Sequence, residues 1–321
     1  MPRALITGVA GFLGSHLAER LLGEGVGVRG IDCFDPYYDR AIKERNLAGL
    51  RGRPGFEWQA ADLLEAPLEP LLDGADWVFH LAARPGVRAS WGEAFADYAR
   101  LNILATQRLL EALRTRPIRA LVFASSSSVY GEAGAGEASE DAPCRPISPY
   151  GVSKLGAEAM VRAYHAAFGV PVVSLRYFTV YGPRQRPDMA FHRFLRAMLT
   201  NAEVPVLGDG RQTRDFTFVD DAIQATVQAA RVGRAGAVYN IGGGCPASVL
   251  EVLEILGARL GRPARLQHQP IFPGDPRATR ADTRLARAEL GYRPAVELRE
   301  GLSRMADWMQ AFLAERQVTG A

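Results

Sequence analysis

Arg3-Ala4-Leu5-Ile6-Thr7 is a short apolar run, and it predicts a strand buried on both faces. It leads into Gly8-Val9-Ala10-Gly11-Phe12-Leu13-Gly14, and a helical pattern follows over 15–22. Residues 26–31 predict a second strand, which ends at Asp32. Similar apolar segments recur at 56–59, 77–81, 120–124 and 172–176, with helical patterns between them, the longest over about 93–113. Strand and helix alternate throughout this part, which predicts an α/β fold with a parallel sheet covered on both faces. After about residue 176 the rhythm breaks. The stretch 182–188 is a loop by composition, a short helix is expected at 191–199, and strands near 204–207 and 215–218 precede further helices. This predicts a first domain over 1–176, to which some later segments return, and a smaller α/β domain mainly from 177–321. Gly134-Ala135-Gly136 reads as a mobile loop.

With 321 residues the chain has room for about two domains, and 48% hydrophobic with 23% charged residues is ordinary for a globular protein. The net charge of +3 comes from scattered arginines, which argues against nucleic acid as a partner. Cys33, Cys144 and Cys245 are far apart and lack C-x-x-C spacing, so neither a disulfide framework nor a metal site is expected. The first strand begins almost at the N-terminus, leaving no room for a signal peptide, and no apolar run approaches the length of a membrane span. The expectation is a cytoplasmic protein without a membrane partner.

Two motifs bring chemistry into this frame. Ser148 is a good N-cap with Pro149 in the first helical position, so Tyr150 and Lys154 leave one helix face at i and i+4. A lysine cation beside a tyrosine favours the phenolate, which makes the pair a candidate for proton transfer. Gly8, Gly11 and Gly14 form G-x-x-G-x-x-G between strand and helix, a turn that lets backbone approach a pyrophosphate at the helix N-terminus. Asp32 lies 18 residues beyond Gly14, where a carboxylate can accept from an adenosine ribose diol. It would repel a 2′-phosphate, so NAD is expected over NADP. Asp62 and Leu63 are candidates to flank the adenine.

The combination of T-G-V-A-G-F-L-G, H-L-A-A at 80–83, S-S-S-S-V-Y-G at 125–131, Y-G-V-S-K, R-D-F-T-F-V-D-D at 214–221 and L-G-Y-R-P at 290–294 resembles the extended short-chain dehydrogenase/reductase superfamily. That resemblance implies a Rossmann domain holding NAD and a smaller C-terminal domain holding a nucleoside diphosphate sugar. It implies cofactor contacts from Phe12, Leu13, Leu81, Ala82, Ala83 and Phe178 in addition to the turn glycines, Tyr150 and Lys154. It also places the catalytic hydroxyl at Ser126, five residues before Gly131, with Ser125, Ser127 and Ser128 as alternatives. Similar dehydratases carry Asp-Glu at the next two positions, and similar uronate decarboxylases a Glu at the second. Ser127 and Ser128 stand there instead, which leaves 4-epimerisation.

The R-x-F-T-V-Y-G-P-x-x-R-P-D-M-A form of 176–190, together with F-D-P-Y-Y-D at 34–39, resembles the UDP-glucuronate 4-epimerases of that superfamily. A uronate needs a cation, and Arg186 offers a planar fork for its carboxylate. Arg88 is a second candidate, with Thr179 a neutral partner. Arg214 and Arg277 are expected at a diphosphate and Asp275 at a ribose. The expected activity is UDP-glucuronate to UDP-galacturonate. The alternatives are an epimerase of neutral UDP-hexoses, a UDP-glucuronate decarboxylase, and an NAD-sensing binding protein. A homodimer through the helices near 93–113 and 149–168 is the corresponding expectation for assembly.

Overall fold

In the computed structural model, which describes residues 1–132 and 136–319, the six early strands pair in parallel. They are β1 (Arg3–Thr7), β2 (Gly27–Asp32), β3 (Phe56–Ala60), β4 (Trp77–His80), β5 (Ala120–Ser126) and β6 (Val172–Tyr177). A seventh, Val238–Ile241, returns from the later part of the chain to pair with β6. The order is Val238–Ile241, β6, β5, β4, β1, β2, β3. Succession reverses between β1 and β4, which opens a crevice at their carboxyl ends.

The alternation of a strand explains the two covering layers. Ala4 and Ile6 of β1 belong to the core on one face, and Leu5 to the core on the other, with all three wholly buried. On the first face the helices Phe12–Gly23 and Val219–Val232 pack together. On the second lie Ala105–Leu113 and Pro149–Phe168.

The helical stretch expected at 93–113 is continuous but not regular. A 3₁₀ turn (Gly92–Ala94) and one α-turn (Phe95–Tyr98) lead into a π segment (Ala99–Leu104) before the α-helix Ala105–Leu113. The widened π turn lets Asn102 reach sideways: its amide donates to the Arg84 carbonyl at 3.0 Å and to Ser153 Oγ at 2.9 Å, and accepts from the Arg84 N–H at 2.6 Å. It thereby ties the segment after β4 to the helix carrying Tyr150.

Beyond β6, three strand pairs build the smaller part: Val204–Leu207 with Leu266–Gln269, Thr213–Asp215 with Pro246–Ser248, and Val180–Tyr181 with Thr217–Phe218. An aromatic cluster of Tyr181, Phe191, Phe216 and Phe218 holds them together, with Phe191 and Phe216 centroids 4.6 Å apart. Residues 134 and 135 of the loop expected at 134–136 lie outside the described residues. Among the described residues, no helix is long and apolar enough to cross a membrane.

Candidate active site

Ser148 caps the helix Pro149–Phe168 as its sequence predicts, its Oγ accepting from the Gly151 N–H at 3.1 Å. Tyr150 therefore stands in the first turn, where its own N–H donates to Ser90 Oγ at 3.0 Å. Its ring meets the edge of Tyr98 with centroids 6.2 Å apart. Tyr98 is locked in turn by hydrogen bonds from its hydroxyl to the carbonyls of Pro85 and Gly86. One turn on, Lys154 is buried and rests over the Phe123 ring at 5.0 Å, with neither an ion pair nor a hydrogen bond among the described residues. The next carboxylate along the helix, Glu158, is already engaged. Arg176 grips it at 2.5 and 3.0 Å, and Ser125 donates to it at 2.5 Å.

That commitment separates the four serines. All four line the cleft, but the Ser125 hydroxyl is tied to Glu158, whereas Ser126, the last residue of β5, stands near enough to Tyr150 to lower its pKa. Ser126 Oγ also accepts from the Ser128 N–H at 3.1 Å, which closes the turn after the strand.

Burial raises the Tyr150 pKa, while Ser126 and then the charge of Arg186 pull against it. Burial also draws Lys154 down to about 8. Lys154 thus loses its proton before Tyr150 does, the reverse of what the spacing alone suggests. A phenolate–ammonium pair near neutrality needs a further hydrogen-bond partner or positive charge in the cleft. His80, hydrogen-bonded at 2.8 Å to Thr7 and at 2.9 Å to Thr106, is held neutral by burial first and Lys154 second, with its pKa lowered to about 3.

The glycine turn is packed as tightly as a phosphate cradle requires. A Cβ on Gly14 would meet the Gly8 carbonyl oxygen at 2.1 Å, and one on Gly8 the Ala82 nitrogen at 2.9 Å. Gly8 also has φ +74°, which disfavours any side chain. Asp32 accepts from the Ala10 and Phe34 N–H groups at 3.1 and 2.8 Å and from Lys43 Nζ at 3.1 Å. A carboxylate offers about four lone-pair sites, so capacity remains for a ribose hydroxyl. These residues fit NAD: the glycine turn would take the pyrophosphate at the helix N-terminus and Asp32 would accept from the adenosine ribose. Asp62 also lines the cleft, its carboxylate held by Arg100 at 2.7 Å and the Leu64 N–H at 2.9 Å.

At the opposite end of the cleft, the loop that follows Tyr181 is pinned on both sides. Arg184, at φ +65°, reaches Glu19 at 2.7 Å, and the Pro183 carbonyl meets His16 at 3.0 Å. Gln185 donates to the Val180 carbonyl and accepts from the His192 N–H. Arg186, between these anchors and the helix Ala190–Leu199, grips Asp188 through Nε and Nη2, both at 3.0 Å. Asp188 accepts in addition from Tyr37 at 3.3 Å. Further out, Asp275 bridges Arg88 at 3.2 Å and Arg214 at 3.4 Å. Arg193 lines the same wall without an ion pair among the described residues, its pKa lowered by burial and then by Arg88.

One cleft of about 790 Å³ connects the glycine turn, Tyr150 and these arginines. The family described as "NAD dependent epimerase/dehydratase family" matches residues 4–242. This chain belongs to that family. It is 46% identical over 303 residues to a Bacillus subtilis relative described as an uncharacterized UDP-glucose epimerase, covering 94% of this chain and 96% of the relative. It is 35% identical over 309 residues to the UDP-glucuronate 4-epimerase of Thermodesulfobacterium geofontis, covering 95% of each. Among solved structures, the UDP-glucuronic acid 4-epimerase of Bacillus cereus in complex with UDP-glucuronic acid and NAD superposes with a TM-score of 0.95. That comparison has 44% identity and covers 97% of this chain and 99% of that one.

Of the candidate residues read from the sequence of this family member, all but two line the cleft. Phe178 is buried with Val129 and Tyr130, because β-type alternation turns Tyr177 and Thr179 toward the cleft and the residue between them away. Arg277 is exposed, and it acts through its backbone: its N–H donates to Glu132 at 3.0 Å, and its carbonyl accepts from the Thr213 N–H at 3.1 Å. Sequence reasoning missed Lys43, Tyr37, Arg84, Asp188 and Arg193, all of which line the cleft. Arg84 is paired with Asp35 at 3.0 Å and packs near the rings of Tyr37 and Tyr98. The charged type of Asp188 and its place two residues after Arg186 were the available signal; the Tyr37 contact, spanning 151 residues, left none.

Proposed function

We propose that this chain is an NAD-dependent 4-epimerase of UDP-sugars that converts UDP-glucuronate to UDP-galacturonate. Ser126 and Tyr150 receive the C4 hydroxyl, and Tyr150 takes its proton. Lys154, which has no ion pair or hydrogen bond among the described residues, holds the nicotinamide ribose hydroxyls and gains there the polar partner it lacks. Bound NAD⁺ supplies the means to accept a hydride from C4 and to return it. The sugar then presents its other face, and Tyr150 gives the proton back. Ser127 and Ser128 offer no carboxyl group for dehydration.

The observation that carries the substrate assignment is that Arg186 and Tyr150 line one cleft, with the guanidinium charge among the influences that pull the Tyr150 pKa down. A sugar with C4 at Tyr150 has C6 two bonds away, so a C6 carboxylate falls within that cation's reach. A second reading, epimerisation of neutral UDP-glucose, is favoured by the Arg186–Asp188 pair, which already neutralises the cation. Incubation with UDP-glucuronate, UDP-glucose and UDP-GlcNAc, followed by chromatography of the products, separates the two. Turnover of UDP-glucose with none of UDP-glucuronate refutes the uronate assignment. A cytoplasmic homodimer completes the proposal; Leu104 and Val152, 55% and 47% exposed on the two helices named above, support that contact.

A further inference from the structure

Arg186 is gripped by Asp188 on one edge only. The pair uses Nε and one hydrogen of Nη2, each 3.0 Å from a different carboxylate oxygen. Nη1 and the outer hydrogen of Nη2, which form the guanidinium's other edge, make no hydrogen bond among the described residues, and Arg186 lines the cleft. A guanidinium is planar and has five donors in fixed directions, so fixing one edge fixes the other. Asp188 is itself fixed from a different part of the chain. Tyr37 donates to it at 3.3 Å, and Tyr37 sits in a notch that only glycine provides, since a Cβ on Gly86 would lie 2.1 Å from its hydroxyl. Arg184 and Gln185, just before Arg186, are pinned to other elements as described.

Resting on the uronate reading above, we propose that Asp188, backed by Tyr37, is a positioning residue that aims the free edge of Arg186 at the substrate carboxylate and so suppresses decarboxylation. Oxidation at C4 makes the uronate a β-keto acid. When the C5–C6 bond aligns with the carbonyl π system, that bond breaks and CO₂ leaves. Its electron pair enters the C4–C5 enolate, and C5 then takes a proton from solvent. A guanidinium held in one plane by Asp188 pins the carboxylate in one orientation, whereas a freely turning one only neutralises it. Asp188 thus serves selectivity between two fates of one intermediate rather than affinity.

The test uses the NAD-loaded wild type and the variants Asp188→Asn, Tyr37→Phe, Arg186→Ala and Arg186→Ala/Asp188→Asn, with UDP-glucuronate carrying ¹³C at C6. The readouts, relative to UDP-galacturonate, are ¹³CO₂ and its partner product, the UDP-4-keto-pentose or the UDP-pentose formed when NADH returns its hydride to C4. Thermal melting checks that each variant is folded. Asp188→Asn should raise the CO₂ fraction roughly tenfold, a size ordinary for residues coupled in one network, and Tyr37→Phe should raise it by less. In the double variant, loss of Asp188 should add nothing to the loss of Arg186. If wild type fails to turn over UDP-glucuronate, the functional reading falls and takes this one with it. If wild type epimerises it and Asp188→Asn lowers KM while the CO₂ fraction stays unchanged, Asp188 is a competitor for Arg186, and the positioning role is overturned. Additive effects in the double variant overturn it as well.

Discussion

Replacing Lys154 by methionine should stabilise the protein while destroying its activity. Lys154 is 4% exposed, has no ion pair or hydrogen bond among the described residues, and faces a Glu158 already held by Arg176 and Ser125. Burial lowers its pKa from 10.5 to about 8. At about 1.4 kcal/mol per pH unit this amounts to roughly 3 kcal/mol against the folded state at pH 7. The amine opens onto cleft water, so about half of that is the more realistic figure, or roughly 2–5 °C in melting temperature. The sign follows from linkage. Between about pH 8 and 10.5 the unfolded lysine holds a proton that the folded one has lost, so wild-type stability rises with pH across that window. The gap between variant and wild type should therefore be full at pH 7 and close toward pH 10. The assay is thermal unfolding of nucleotide-stripped proteins from pH 6 to 10, repeated with NAD. Added NAD should narrow the gap by giving Lys154 its partner. A variant less stable than wild type at pH 7, or a gap independent of pH, would refute the uncompensated buried cation.

Tyr150→Phe should lower kcat by about 10²–10⁴-fold while UDP-sugar binding persists; near-normal kcat in a folded variant rejects Tyr150 as the base. Arg186→Ala should reduce kcat/KM for UDP-glucuronate by about 10–150-fold, from the loss of a charge-assisted pair of roughly 1.5–3 kcal/mol, with far less effect on UDP-glucose. Equal losses on both substrates, read by steady-state kinetics, remove the case for a carboxylate contact. Purified protein should retain NAD(H), and Asp32→Ala should weaken that retention; release of mainly NADP from denatured wild type would contradict the reading of Asp32.

The features visible in the sequence were those encoded within a turn or two of chain. Ser148-Pro149 sets the helix start, three glycines set the cradle, and i, i+4 spacing sets Tyr150 and Lys154 on one face. The inward alternation at 177–179 was equally local and would have placed the Phe178 side chain outside the cleft lining. What stayed hidden depends on contacts between distant segments. Asp275 meets Arg88 across 187 residues and Arg214 across 61, and no periodicity in the sequence encodes either. The titration order of Tyr150 and Lys154 was hidden for the same reason. Spacing brings the groups together, but the depth at which Phe123 and the sheet bury them decides which loses its proton first.

The strand Val238–Ile241 has a consequence for how the molecule is made. It covers the edge of β6, and Asn240 within it bonds the Tyr130 hydroxyl that supports Arg176. The sheet cannot be completed until residue 241 leaves the ribosome, by which point the Arg186 loop and the helix Ala190–Leu199 already exist. A gene fragment ending at 176 would leave β6 as a bare edge and the buried Arg176–Glu158 pair open to water on one side, an invitation to strand-to-strand aggregation. The sheet is therefore not contained in the first 176 residues. Evolution or engineering that exchanges the sugar-binding loops must do so as insertions within a continuous sheet, not by joining two ready-made pieces.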